Sequence, residues 1–256
     1  MIKFFRYIRK DLMEQNKTSK YFKYAIGEIV LVVIGILIAL QINNWNENRK
    51  QYIQEEKLLV SLKSDFLESK DRLQQTMYMQ KNVIRKSSEL IKMYEGKIPR
   101  ASNDSIKNFI IYGAQSWYRA EFLTGAYDAY ISTGNAELLR NNQLRKMLAE
   151  YFSIVKLGFE DQDNSMNLLN NMQNISAPVS AHLELPVARK QIGLDTLRSP
   201  KEDMAIDFIF NQDAYFGHLM NRVAVEHLRY DIQKEMLDKI SQILAILNDE
   251  IELQND

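Results

Sequence analysis

Apolar positions along this chain fall into two regimes. From Ala25 to Ile42 they are continuous, with Glu28 and Gln41 the only strongly polar residues. As a helix these 18 residues span about 27 Å at ~1.5 Å per residue. A hydrocarbon core is about 30 Å thick, so the segment is long enough to cross it. The run Ile29–Leu40 has no polar face, unlike the helix of a soluble amphipathic protein. The pattern predicts a transmembrane helix over 25–42. No Ala-x-Ala follows the run, which favours an uncleaved signal anchor over a cleaved signal peptide.

Beyond Trp45 the apolar residues become periodic. Leu59, Leu62, Phe66, Leu73, Met77, Ile84, Ile91 and Tyr94 make one helical stripe. No Gly or Pro occurs from Ile36 to Glu95, so the membrane helix is expected to run on as a stalk. Gly96, followed by Pro99, ends it. Ser102-Asn103-Asp104 starts two shorter helical pieces, about 104–118 and 121–133, and Gly134 closes the second. Asn135 reads as the N-cap of a long helix over roughly 136–174. Residues 176–204 hold three of the four prolines and no clear period, so they read as a long connection. A last helix, about 211–252, carries a heptad seam: Phe216, Val223, Tyr230, Leu237, Leu244 and Ile251, with Leu219, Glu226, Gln233, Ile240 and Leu247 three residues on. Glu226 and Gln233 are polar within that seam. They either lie at a bundle edge or specify register or oligomer state.

The expected fold is all-α: an N-terminal transmembrane helix followed by an elongated antiparallel bundle of about four long helices. Three regions are expected: a basic cytoplasmic interfacial segment over 1–24, the membrane helix over 25–42, and a periplasmic bundle over 43–256.

Charge sets the orientation. The chain is neutral overall, but residues 1–24 carry seven Lys/Arg and a net +5, leaving −5 on the remainder. Only Arg49, Lys50 and Lys57 follow the apolar run closely, so the N-terminus is expected in the cytoplasm. Met1, Phe4, Phe5, Ile8 and Leu12 share one face of residues 1–14 among basic neighbours, a pattern suited to anionic lipid. Tyr21, Phe22 and Tyr24 at one end of the run and Trp45 at the other suit the membrane interfaces.

One face of the membrane helix stands out as a candidate contact. Glu28, Val32, Gly35 and Ala39 lie on it, and Gly35 with Ala39 forms a small-xxx-small pair that lets another helix approach closely. Glu28 is one turn inside the boundary, where it either reaches headgroups or touches a partner.

Catalytic chemistry has no signature here. Cysteine is absent, excluding disulfides and thiolate sites. His182, His218 and His227 form no His-Glu-x-x-His. Asp161, Asp163 and Ser165 hint at a calcium loop, but the central glycine is missing and Met172 stands where its closing glutamate belongs. No phosphate-binding glycine loop and no nucleophile elbow occur, and the basic residues of the body alternate with acids, giving no nucleic-acid footprint. No catalytic, cofactor-binding or metal residue is therefore expected. Ser116–Phe122 gathers aromatics around Arg119, read chiefly as core packing.

The stretches IKFFRYIRK and SKYFKYAIGEIVLVVIGILIALQINNWNENRK resemble the N-terminal signature of the bacterial DUF6090 family of single-pass membrane proteins, whose function is unknown. Looser similarity runs through Ala129–Phe152. The resemblance implies an anchor and a helical remainder, and no activity. The expectation is a non-enzymatic envelope protein in the inner membrane that binds a partner or senses, as a homo-oligomer or with another membrane protein. The alternative is a tethered small-molecule sensor or enzyme with its site near the 176–204 loop.

Overall fold

The computed structural model describes residues 18–183, 190–193 and 199–255. The basic amphipathic segment over 1–14 lies outside them, as does much of the 176–204 connection. The described residues are helical with no strand, an all-α chain.

Two compact units are present, 1–57 and 58–256. The apolar run belongs to the first. It lies on helix α1, Thr18–Tyr94, which continues without a break as the lack of Gly and Pro predicts. No part of the apolar window is buried by the chain itself. Leu31, Val32, Ile36 and Leu40 are all exposed. Phe22 and Trp45 are exposed too, and the Arg49 guanidinium sits 5.8 Å from the Trp45 ring centre.

The second unit is a helical bundle. Gly96 ends α1 with φ +69°, a conformation that costs glycine little. The Ser102 side chain then accepts from the Ser105 N–H and caps α2, Asn103–Phe109. The chain continues through a π-helical turn, Ile110–Ala114, an irregular stretch, and α3, Gly125–Ser132. A 3₁₀ turn at Ala136–Leu138 leads to α4, Asn142–Ser176. A second 3₁₀ turn, Ser180–His182, precedes α5, Glu202–Phe210, and α6, Asp213–Asn255.

Contacts fix the directions. Gln80 meets Glu226 and Tyr94 meets Asp213, so α1 and α6 are antiparallel. Ser165 meets Glu226 and Lys239 meets Glu150, so α4 and α6 are antiparallel as well. Three legs are thus long helices. The fourth leg, 103–132, is broken, and here the structure corrects the sequence reading. The expected helix over 104–118 stops at Ala114, and residues 116–124 are not helical. The long helix is capped by Asn141, whose side chain accepts from Leu144 N–H, while Asn135 caps only the 3₁₀ turn before it. Helix α5 was not expected.

The core has two apolar parts. One gathers Leu59, Leu62, Phe66, Leu148, Tyr151, Ile240 and Leu247. The other gathers Leu90, Ile106, Ile110, Met172, Ile206, Phe216 and Leu219. Along α6 the buried residues between these parts include Arg222, Glu226, Arg229 and Gln233. A polar layer therefore divides the bundle. Glu226 and Gln233 lie inside it, 1% and 4% exposed, and not at a bundle edge. Of the seam leucines, Leu244 is buried, whereas Leu237 is only partly buried against the core.

Candidate functional site

Residues 114–126 pose an accounting problem. A chain that leaves the helix loses its intrahelical hydrogen bonds, and buried backbone groups need other partners. Neighbouring side chains supply them. Arg222 donates through both Nη atoms, to the carbonyls of Ala114 and Ser116. Arg229 Nη2 donates to Tyr118 O at 2.8 Å. From α1, Ser69 Oγ accepts from Leu123 N–H at 2.9 Å and Asp65 Oδ2 from Ala126 N–H at 2.8 Å. Thus α1 and α6 hold the break from two sides.

The two guanidinium groups need a counter-charge, and Glu226 provides it. Its Oε1 accepts from Arg229 Nη1 at 2.7 Å and from Ser165 Oγ. Its Oε2 accepts from Gln80 Nε2 at 2.7 Å. Arg222 Nη2 lies 3.6 Å from Oε1. Arg222, Glu226 and Arg229 are each at most 2% exposed. Burial lowers the Arg222 pKa, and Glu226 opposes that shift. Ser165, part of the rejected calcium pattern, proves to be a buried member of this network, while Asp163 faces solvent. Among the described residues no group of three or more His, Asp or Glu is placed to hold a metal.

The aromatic stretch at Ser116–Phe122 divides between interior and surface. Ala120 is buried, and the Arg229 guanidinium lies 5.7 Å from the Trp117 ring centre. Arg119 is exposed and lines, with Thr76, Tyr118 and Glu121, a hollow of about 410 Å³. On the other side of α1, a groove of about 570 Å³ runs between α1 and α6. Tyr78, Lys81 and Arg85 line it from α1, His227 and Tyr230 from α6, and Ile84 at the floor. Among the described residues, no carboxylate lines this groove. His218 stands apart from it, nine positions before His227 on α6, so the histidines do not converge.

The family model for DUF6090, a family of unknown function, matches residues 28–156. That is half of the chain. The chain belongs to the DUF6090 family. The match begins at Glu28, leaving the basic head outside it, and it includes Ala129–Phe152. The DUF6090 stretch holds the Glu28–Ala39 face of the apolar window, Ser69, Asp65 and the whole broken leg, while Arg222, Glu226 and Arg229 fall beyond it. No curated protein and no solved structure matches the chain.

In the DUF6090 stretch, Glu28 is of intermediate exposure, and Val32 and Ala39 are exposed. A Cβ added at Gly35 would meet nothing within 4 Å. The polar layer is the part that sequence reasoning missed. Its signal was present: Glu226 and Gln233 in the α6 seam, and Gln80 between Met77 and Ile84 in the α1 stripe.

Proposed function

We propose that this chain is a membrane-anchored helical-bundle protein of the bacterial envelope that works by binding a partner and not by catalysis. The observation that carries the reading is the apolar window Ala25–Ile42, helical throughout and in no part buried by the chain. Apolar surface of that extent costs free energy in water and none in lipid. The excess of Lys/Arg before it supports a cytoplasmic N-terminus and a periplasmic bundle in the inner membrane. The basic first 24 residues favour anionic lipid.

Two surfaces support binding. The Glu28–Val32–Gly35–Ala39 face suits close approach of another membrane helix, from a second copy or from another membrane protein. The groove between α1 and α6 sets two cations and an imidazole between two tyrosines, an arrangement complementary to an acidic segment of a partner. The interior charges support a structural role for the polar layer, since the Glu226 carboxylate and both guanidinium groups are engaged with protein groups.

The test compares what crosslinks to and co-purifies with the wild-type chain and with the Lys81→Glu, Arg85→Glu double variant in membranes. The reading expects the variant to stay in the membrane and to lose a periplasmic partner. Equal recovery of every partner would remove the groove from it.

A further inference from the structure

We propose that the polar layer contains a binding site for one water molecule, held between α4 and α6 as a fixed part of the bundle. Beside Arg229 is a cavity of about 10 Å³, lined by Ala120, Phe122, Val155, Gln162, Arg229, Ile232, Gln233 and Met236. Its three polar lining residues are Gln162, Arg229 and Gln233, 5%, 2% and 4% exposed. Each brings one buried polar atom without a hydrogen-bond partner among the described residues: Gln162 Oε1, Arg229 Nε and Gln233 Oε1.

Three unmatched atoms, all on residues that line one small cavity, specify their ligand. Arg229 Nε–H is a donor and needs an acceptor. The two amide oxygens are acceptors and need donors. The occupant must therefore accept one hydrogen bond and donate two. A cavity of ~10 Å³ admits a single heavy atom. A cation is disfavoured beside the guanidinium, and an anion is disfavoured by the two carbonyl dipoles. Water meets both the count and the size, and buried waters typically make about three such bonds.

The site explains why these polar residues are tolerated in the core. A buried donor or acceptor left unmatched carries its full desolvation cost, and here one molecule satisfies three. The water also completes Arg229, whose Nη atoms are already engaged by Glu226 and Tyr118 O. It ties α4 to the same guanidinium that holds the broken leg.

The test is a crystal structure of the detergent-solubilised full chain at about 2 Å. The expected result is a single density peak within hydrogen-bonding distance, roughly 2.6–3.2 Å, of Gln162 Oε1, Gln233 Oε1 and Arg229 Nε. An empty site with the three groups in place would overturn the inference, as would a glutamine amide turned directly onto Arg229 Nε. A measurement on the same protein in solution stands beside it. With ¹⁵N-arginine labelling, the Arg229 Nε–H resonance is expected to show a cross-peak to water protons. A resolved Nε–H resonance without that cross-peak would overturn it equally.

Discussion

Removing the Glu226 carboxylate leaves two guanidinium groups buried without a counter-charge. Breaking a buried ion pair from one side costs about 3–5 kcal/mol, because the charge left behind is still out of water. Glu226→Ala is expected to lose that much in denaturant unfolding of the detergent-solubilised chain, followed by circular dichroism. Glu226→Gln keeps a hydrogen-bonding side chain of similar size and is expected to lose less. A loss under about 1 kcal/mol for the alanine variant would mean that the network is wetter and looser than its burial implies. At this scale the sequence was half legible. That Glu226 is polar within a hydrophobic seam can be read from spacing alone. Which side of the bundle wall it falls on cannot, because its partners Gln80 and Ser165 are 146 and 61 residues away.

Helix boundaries followed local chemistry where local chemistry decided them. Gly96 and Gly134 both take positive φ, and both were expected at helix ends. A break between the two helical pieces was expected at 119–120, but its full length, 116–124, was not legible. The stretch has ordinary helix formers, and its carbonyls are satisfied by Arg222 and Arg229, more than 100 residues further on. The π turn before it places Gly113 against α1, where an added Cβ would lie 2.5 Å from Lys86 Cβ. Gly113→Ala is therefore expected to destabilise the bundle by about 1–3 kcal/mol, the usual cost of overpacking. A neutral result in thermal unfolding would show that α1 can shift aside. In the α6 seam, Leu247→Ala, at a fully buried position, is expected to cost about 2–5 kcal/mol, and Leu237→Ala, only partly buried, less. Equal losses would contradict the burial difference between the two. In the proposed membrane helix, Gly35→Leu is expected to weaken association in a membrane two-hybrid assay on the full chain. Lipid tails match leucine in apolarity, so only close packing and polar contacts hold such helices together. Unchanged association would leave the segment an anchor alone.

At the scale of the whole molecule, one helix carries both an apolar window that the chain leaves exposed and an amphipathic stripe for the bundle core. This was the most legible feature of the sequence. Hydrocarbon excludes every unpaired backbone group, so a single run that spans it alone must be continuous, apolar and helical. The α5 helix, by contrast, went unread. Its nine residues, Glu202–Phe210, follow a proline-rich stretch and are too few for a clear period. The central claim, an inner-membrane anchor with the bundle outside the cytoplasm, rests on the Lys/Arg asymmetry about Ala25–Ile42. It is tested most directly by fusing, after Asp256, a reporter enzyme that is active only outside the cytoplasm. The account predicts an active fusion, and an inactive counterpart with a cytoplasm-only reporter at the same position. A cytoplasm-only reporter that is active there would contradict the orientation and, with it, the periplasmic partner.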